Sequence, residues 1–494
     1  SRLLISAHKR LRVPLLCRSL NRRKTTSSDN PCSARCRRLK TQTGRCIMQR
    51  KMIATAVAVT LLALAVVHVG GRVHREDLLH KGVMPRETMP QCDSVKDTSD
   101  IIGGSTEAGI VCVTDDAGQE TRMFYWEAKV PAPRGILFYL GGGPGCASSS
   151  YMLQMGPSHV LPNGTLSPNN PYALAEALNF NIFFIDAPAH VGYSWSPTPA
   201  RRFNYSDSES AQVVAAAIIK IHQAFQDLPV VVAGVSYGTK SASLSAARLL
   251  AMQPDFPLRA LCLDSVLLDR IAELKNWTGS FGRFLGVSAA EKLHAAGVDD
   301  MEGRAKELRD AGRDQEAADV IEEMWQTTMK LTGVKNQHYL DPDRRYLTDT
   351  QAEKTWTKTK QYVANLNSAL VLDVPTFHGC SGAVWMGFED SRLRDATWSL
   401  AEVTEKGVRV LLFSGYWDGM ATVEATTAWL GTNFPGKCDF LEVDDPHFSP
   451  DTAKALASQQ MVHVEVDNCG HGVSEGRIDI FEAALRTFLS DDTL

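Results

Sequence analysis

The stretch that most restricts what this chain can fold into is Val231-Val232-Ala233-Gly234-Val235-Ser236-Tyr237-Gly238, with a run of small residues from Thr239 to Leu250 behind it. The β-branched run reads as a short buried strand and the small-residue run as a helix. Strand, sharp turn and helix in succession are the context a nucleophile elbow requires. Such a turn holds its serine in a strained backbone conformation. Gly234 and Gly238 stand two residues to either side, where a side chain would collide with strand or helix. The turn lifts the Ser236 hydroxyl above the sheet, within reach of a histidine. The five-residue pattern alone also fits a plain strand-to-helix turn, so the flanking elements carry the reading.

Around the elbow the chain alternates strands and helices. Residues 123–130, 136–140, 181–186, 258–264, 408–413 and 462–466 read as strands, and 208–226 and 477–489 as helices. This order predicts an α/β fold, a mostly parallel central sheet wrapped by helices. Residues 72–110 read as a polar lead-in with few strand signals. From about 270 to 367 the rhythm changes to charged, strand-free helical pattern at 289–295, 300–311 and 315–331, which predicts an inserted helical cap. After the strand at 136–140 comes Gly141-Gly142-Gly143-Pro144-Gly145-Cys146, a tight loop with exposed backbone N–H groups. In a hydrolase such a loop supplies half of an oxyanion hole.

A serine nucleophile needs a base and a carboxylate to orient that base. Asp418 and His471 each sit in a loop just past a late strand, where catalytic residues of a parallel sheet belong. Asp264 and Asp467 also lie at strand ends, and His447 and His463 are further histidines. His463 falls inside a strand and reads as a packed core histidine, and no strand feeds His447. Gly470 and Gly472 flank His471 and leave room around its imidazole.

The composition, 44% hydrophobic over 494 residues, is that of a large globular domain with an insertion. The formal charge of −4 hides an asymmetry: residues 1–52 carry a balance of +14, leaving −18 for the rest. A basic arm of this kind can be a transit peptide or a nucleic-acid tail. It is taken here as a leader, disordered or absent from the mature protein, and no nucleic-acid partner is expected. Residues 53–69 form an uncharged apolar run after Arg50 and Lys51, followed by Gly70-Gly71. Segment 53–71 is therefore expected to be a signal peptide, or a signal anchor if uncleaved. A membrane is a partner only in the second case. The domain itself is expected over 72–494. Seven cysteines follow the leader without a Cys-x-x-Cys pair, which argues against a zinc site. An odd number leaves at least one unpaired if all pairing is internal. Asn-x-Ser/Thr triplets at Asn163, Asn204 and Asn276 would accept glycans in a secretory lumen.

On these residues the chain resembles the serine carboxypeptidase family of the α/β-hydrolase superfamily, from about Gly109 to Leu489. Gly142-Gly-Pro-Gly-Cys-Ala-Ser148 is similar to that family's Asn-Gly-Gly-Pro-Gly-Cys-Ser-Ser. Gly156-Pro157, Asn170-Pro-Tyr172, Phe184-Ile-Asp-Ala-Pro-Ala-His-Val-Gly-Tyr-Ser194, Gly234-Val-Ser-Tyr-Gly238, Gly415-Tyr-Trp-Asp418 and Gly470-His471 follow in family order. The resemblance implies a serine-type carboxypeptidase with an acyl-enzyme on Ser236, His471 as base and Asp418 as orienter. It implies an oxyanion hole from the N–H groups of Gly143 and Tyr237, and a Cys146–Cys380 disulfide. The chemistry calls for no cofactor and no metal. The partner is a peptide or acyl-ester substrate in the secretory pathway, lysosomal, vacuolar or extracellular.

The departures concern recognition of a substrate's terminal carboxylate. Gly141 and Val235 stand where the family has Asn and Glu, Gln154 stands where it has another Glu, and Gly472 follows the histidine. A buried carboxylate without such partners costs several kcal/mol. The expectation is therefore an intact catalytic machinery with weak preference for a free C-terminus. An esterase or acyltransferase using the same triad is the first alternative, and a non-catalytic binding protein of the same fold the second.

Overall fold

The computed structural model describes residues 91–197, 205–343, 351–366, 377–388 and 391–490, all within the compact unit Val83–Leu494. The basic leader, the apolar segment 53–71 and Asn204 lie outside the described residues. Among the described residues no helix is long and apolar enough to cross a membrane.

The strands, in chain order, are β1 (Ser94–Asp97), β2 (Thr106–Thr114), β3 (Glu120–Ala128), β4 (Gly135–Leu140), β5 (His159–Val160), β6 (Leu166–Ser167), β7 (Phe180–Ile185), β8 (Val230–Val235), β9 (Leu258–Asp264), β10 (Arg409–Gly415), β11 (Asp439–Val443) and β12 (Met461–Val466). Ten of them form one sheet in the order β1-β2-β3-β7-β4-β8-β9-β10-β12-β11, and β5 pairs with β6 alone. From β7 to β11 every pairing is parallel; β1, β2 and β3 add an antiparallel edge. This is the α/β-hydrolase fold.

The central strands β4, β7 and β8 are buried at every residue, as parallel strands covered on both faces must be. One face packs Val213, Val214 and Ile218 of helix Asp207–His222 and Leu249 of helix Tyr237–Met252 against Phe138, Val232 and Leu412. The other packs Phe481 and Leu485 of helix Ile478–Phe488 against Phe413 and Val464. Register aligns Leu140 with Gly234, Val235 with Asp264, Asp264 with Phe413, and Gly415 with Val466. The loops that follow β4, β8, β10 and β12 thus leave the sheet at one edge.

Between β9 and β10 run the helices Trp277–Leu285, Val287–Ala295, Val298–Asp310, Asp314–Thr332 and Gln351–Asn365. Phe281, Leu293, Leu308, Met324 and Trp325 form the shared core of the first four, against which Tyr416, Trp417 and Met420 pack, while Val363 of the fifth joins the core against the sheet. The inserted helices therefore rest on the loop that carries Asp418.

Two elements depart from the sequence reading. The lead-in, read as having few strand signals, holds β1 and the start of β2. Gly109 masks the strand pattern because a Cβ there would stand 2.2 Å from the Tyr125 ring on β3, a close approach only glycine permits. β11 is an edge strand whose residues are mostly exposed, so it carries no buried apolar run to read.

Cys146 is bonded to Cys380, the pairing implied by the resemblance, and Cys92 is bonded to Cys112 on β2. Cys262 and Cys469 are buried and Cys438 is partly buried, and the Cys469 thiol donates to the Gly470 carbonyl. Non-reducing peptide mapping is expected to return these two bridges. The Cys146–Cys380 bridge spans a sequence separation of 234, so chain entropy assigns it on the order of 5 kcal/mol. The double Cys→Ser variant at 146 and 380 is expected to unfold at much lower denaturant. Equal midpoints for variant and wild type would refute that assignment.

Candidate active site

β8 ends at Val235, and Ser236 turns the chain straight into helix Tyr237–Met252 with φ 56° and ψ −128°. A side-chain-bearing residue in this region is strained by roughly 1–3 kcal/mol. The surroundings over-determine it. The Ser236 N–H donates to the Asp264 carbonyl at 2.8 Å, and its own carbonyl accepts from the Thr239 N–H and hydroxyl. A Cβ on Gly234 would lie 2.2 Å from the Gly238 carbonyl oxygen, and one on Gly238 2.4 Å from that of Leu140. Both glycines are thus dictated by backbone crossing backbone.

Asp418 follows β10 and is itself fully buried. Its Oδ1 accepts from the N–H groups of Met420 and Ala421 at 2.6 and 3.0 Å. Its Oδ2 meets Nδ1 of His471 at 2.8 Å. Burial alone would lower the imidazole pKa; the charge and hydrogen bond of Asp418, with Glu475 and Asp264 beyond, outweigh it and leave the pKa raised. Ser236 and His471 line one cavity of about 270 Å³ without a hydrogen bond between them. Catalytic hydrogen bonds are often loose before substrate binds.

Gly143 (φ 114°) and Tyr237 face Ser236 from the β4 loop and the helix start. Among the described residues neither N–H has a hydrogen-bond partner. The N-terminus of a 16-residue helix adds its positive dipole end there. Two free N–H groups beside a raised serine can hold a developing oxyanion.

The other candidates have other duties. Asp264 accepts from the Val473 N–H and from the N–H and hydroxyl of Ser474, which fixes the loop behind His471. Asp467 bonds its neighbour Asn468 in an exposed turn. His463 is buried against the Ser414 hydroxyl, and burial pushes its pKa down to about 4. His447 is exposed beside Asp445.

Sequence reasoning missed what surrounds this centre. Residues 337–340, which follow helix Asp314–Thr332 of the insertion, thread between the two late loops. The carbonyls of Gln337 and His338 accept from Gly419 and His471, and the Leu340 N–H donates to Trp417. Gly470 serves this crossing and not the imidazole: a Cβ there would stand 2.2 Å from the His338 oxygen. Gly472, at φ 80°, is required by its backbone turn.

The His471 cavity also holds Tyr151 and Glu475. The Tyr151 hydroxyl donates to Glu475 Oε1 at 2.8 Å. Burial raises the Glu475 pKa against the opposing pull of Tyr151, His471 and His338. Of the carboxylate-holding positions implied by the resemblance, Val235 lines this cavity with an apolar side chain. Gly141 has no room for one, since a Cβ would meet the Cys146 oxygen at 2.8 Å. Gln154 is not among the residues lining it; its carbonyl holds Asn170.

A fold with a strained serine at the strand-to-helix turn, an Asp–His pair past the late strands and two open N–H groups defines the serine-hydrolase class of α/β protein. Residues 98–491 match the family described as serine carboxypeptidase. The chain belongs to that family. Among curated relatives, serine carboxypeptidase-like 26 of Arabidopsis thaliana is 29% identical over 125 residues, 24% of this chain and 27% of that one. Carboxypeptidase Y homolog A of Chaetomium globosum is 26% identical over 223 residues, 42% of this chain and 35% of that one. These matches span about a quarter to a third of the relatives' length. Among solved structures, Kex1Δp of Saccharomyces cerevisiae, a prohormone-processing carboxypeptidase, shares the fold with a TM-score of 0.60 at 15% identity, over 83% of this chain and 95% of that one.

The geometry generates a labelling experiment. Ser236 is expected to react with a fluorophosphonate, and Ser236→Ala to abolish the label. The labelling rate should fall on the acid side with a midpoint above the ordinary histidine value of about 6.5, and Asp418→Asn should move that midpoint down. Folded wild type that stays unlabelled from about pH 4 to 8 overturns the nucleophile assignment.

Proposed function

We propose that the chain is a serine carboxypeptidase-like hydrolase that cleaves peptide C-termini through an acyl-enzyme. The observation that carries this reading is the Asp418–His471 pair sharing a cavity with Ser236, with the open N–H groups of Gly143 and Tyr237 beside it. Ser236 Oγ attacks the carbonyl carbon as its proton passes to His471. The N–H groups of Gly143 and Tyr237 hold the oxyanion. The imidazolium, steadied by Asp418, returns the proton to the leaving group, and water then repeats the sequence to release the acid. Two disulfides support synthesis in an oxidising, secretory compartment.

The alternative, an esterase or acyltransferase, is favoured by one feature. Where the leaving group departs beside His471, Gly141 and Val235 offer no side-chain hydrogen bond to a terminal carboxylate. What stands there is Glu475 with Tyr151. A protonated Glu475 donates to a carboxylate; an ionised one repels it. The raised Glu475 pKa therefore sets a pH dependence.

For a blocked dipeptide acid and its amide, the ratio of kcat/KM is expected to be about tenfold or less at pH 7, a difference of about 1.4 kcal/mol or less. It should rise as pH falls and Glu475 takes up its proton. Taking a ratio cancels the protonation of His471, which both substrates share. Glu475→Gln should flatten the pH dependence. A ratio above about a hundred at pH 7 sinks the expectation and leaves a strict exopeptidase.

A further inference from the structure

A second cavity, of about 300 Å³, shares Gly143, Ser236 and Met420 with the His471 cavity but does not include the imidazole. His471 must protonate the leaving group, so the leaving group lies in the cavity that His471 lines. The acyl part of the substrate is left the other one. Arg270, six residues past the end of β9, lines this acyl cavity together with Ala318, Ile321 and Trp325 of the inserted helix Asp314–Thr332.

Arg270 Nη1 donates to the Met420 carbonyl at 2.8 Å. The N–H of the same peptide unit, that of Ala421, donates to Asp418 Oδ1 at 3.0 Å. A trans peptide unit is planar, with its C=O and N–H pointing in opposite directions. A rotation that turned the carbonyl off the guanidinium would therefore swing the N–H off the carboxylate. A cation at one end and an anion at the other hold the unit in one orientation, and each bond polarises the other. Hydrogen bonds to charged groups are roughly twice as strong as those between neutral ones. Asp418 Oδ1 also accepts the Met420 N–H at 2.6 Å, and its Oδ2 meets His471 Nδ1 at 2.8 Å. A continuous chain thus runs from guanidinium to peptide to carboxylate to imidazole.

The guanidinium is itself aimed. Its centre stands 5.8 Å from the centroid of the Trp325 ring, within cation–π range. The turn it leaves from is locked. Asp269 Oδ1 accepts the N–H groups of Ile271 and Ala272 at 3.1 and 3.2 Å. The same oxygen accepts Arg309 Nη1, from the inserted helix Val298–Asp310, at 2.6 Å. The Asp269 N–H donates to Glu273 Oε1 at 3.0 Å. Burial acts to lower the Arg270 pKa, Glu273 and Asp418 act to raise it, and Arg392 acts with burial. Burial pushes Glu273 up to about 8, and Glu322 lines the cavity from an exposed position. Arg270 keeps its proton against these influences, as arginine does in proteins.

We propose that Arg270 is a positioning residue for the orienting carboxylate: by holding the Met420–Ala421 peptide it fixes Asp418, and through Asp418 the His471 imidazole. This rests on the reading of Ser236, Asp418 and His471 given above. Arg270 takes no part in bond making, and the proton still passes from Ser236 to His471 and on to the leaving group. Arg309 and Trp325 steady Arg270 in turn, so the inserted helices bear on the base as well as on the acyl cavity.

The test is a double-mutant cycle on p-nitrophenyl acetate, whose acyl group is too small to fill the acyl cavity, and on a blocked dipeptide acid. Rates are taken per site labelled by an uncharged fluorophosphonate, so a partly unfolded preparation does not pass for a slow one. Arg270→Met is expected to lower kcat for the acetate roughly tenfold with KM unchanged, the pattern of an interaction needed in the transition state. Arg270→Lys, which keeps a charged donor, should recover most of that loss. In an Asp418→Ala background no carboxylate is left to position, so Arg270→Met should cost little further. If Arg270→Met fails to fold, Arg270→Gln is taken through the same cycle. A loss as large without Asp418 as with it, a rise in KM at unchanged kcat, or no recovery with lysine overturns the inference. Loss in Asp418→Ala and none in Arg270→Met removes the inference and leaves the triad reading standing. Full activity in Asp418→Ala, or no turnover by wild type, overturns the triad reading and the inference with it. Ester turnover without peptide turnover overturns the carboxypeptidase reading alone, and the ester cycle then decides.

Discussion

The backbone at Ser236 is held where an L-residue resists going, and the rest of the site depends on that turn. At φ 56° and ψ −128° the serine sits outside both the helical and extended regions. The strain persists because four backbone segments meet there: the end of β4, the end of β8, the start of the helix and the end of β9. Gly234 and Gly238 are required by contacts of 2.2 and 2.4 Å to backbone oxygens, and Gly142 by a contact of 2.9 Å to the serine's own Cβ. One geometry therefore fixes the exposed hydroxyl, the free Tyr237 N–H and the close approach of the Gly143 loop. The cost of the turn is shared over a fully buried parallel sheet and cannot be relaxed locally.

The second dependence is on the inserted helices. The Asp418 and His471 loops are adjacent because β10 and β12 are adjacent, with Gly415 paired to Val466. They are held there by residues 337–340, which bond to both. The insertion is thus a structural member of the site as well as a wall of the acyl cavity. Its core packs on Tyr416, Trp417 and Met420, so disturbance of that packing reaches the orienting carboxylate directly.

Sequence patterns exposed the elements that are locally specified. β4, β7, β8, β9, β10 and β12 are short apolar runs bounded by turns, and the elbow is a contiguous motif, so both were legible. β2 was not, because Gly109 interrupts its pattern for the sake of a ring on the neighbouring strand. β11 was not, because an exposed edge strand carries no apolar signature. In the candidate site Ser236, Asp418 and His471 could be read from motif order. Tyr151, Glu475, His338 and Arg270 could not: each comes from a different part of the chain, and only the tertiary fold brings it to the serine. One signal was available for Glu475. It lies four residues past His471, in the short helix Val473–Gly476 that turns the chain back over the cavity. Gly470 was read as making space for an imidazole, whereas it makes space for the chain at His338 and Tyr339.

The two cavities are chemically unlike, and one peptide unit connects them. Asp418 Oδ1 accepts the Ala421 N–H, and the Met420 carbonyl of the same peptide unit accepts Arg270. Met420 lines both cavities. A guanidinium on the acyl side is therefore two hydrogen bonds from the carboxylate that orients the base on the other. Each bond polarises the next, so the positive charge strengthens the N–H that holds Asp418. The carboxylate stays fixed and its second oxygen stays on His471 Nδ1. The same arrangement keeps the positive charge away from the imidazole, which has Glu475 and Asp264 near it and whose pKa is raised. Separating the charges this way resolves a conflict inherent in a site that must build up an imidazolium: cations placed beside His471 would oppose its protonation. Here the charges that act most on the imidazole are those of Asp418, Glu475 and Asp264, all of them negative.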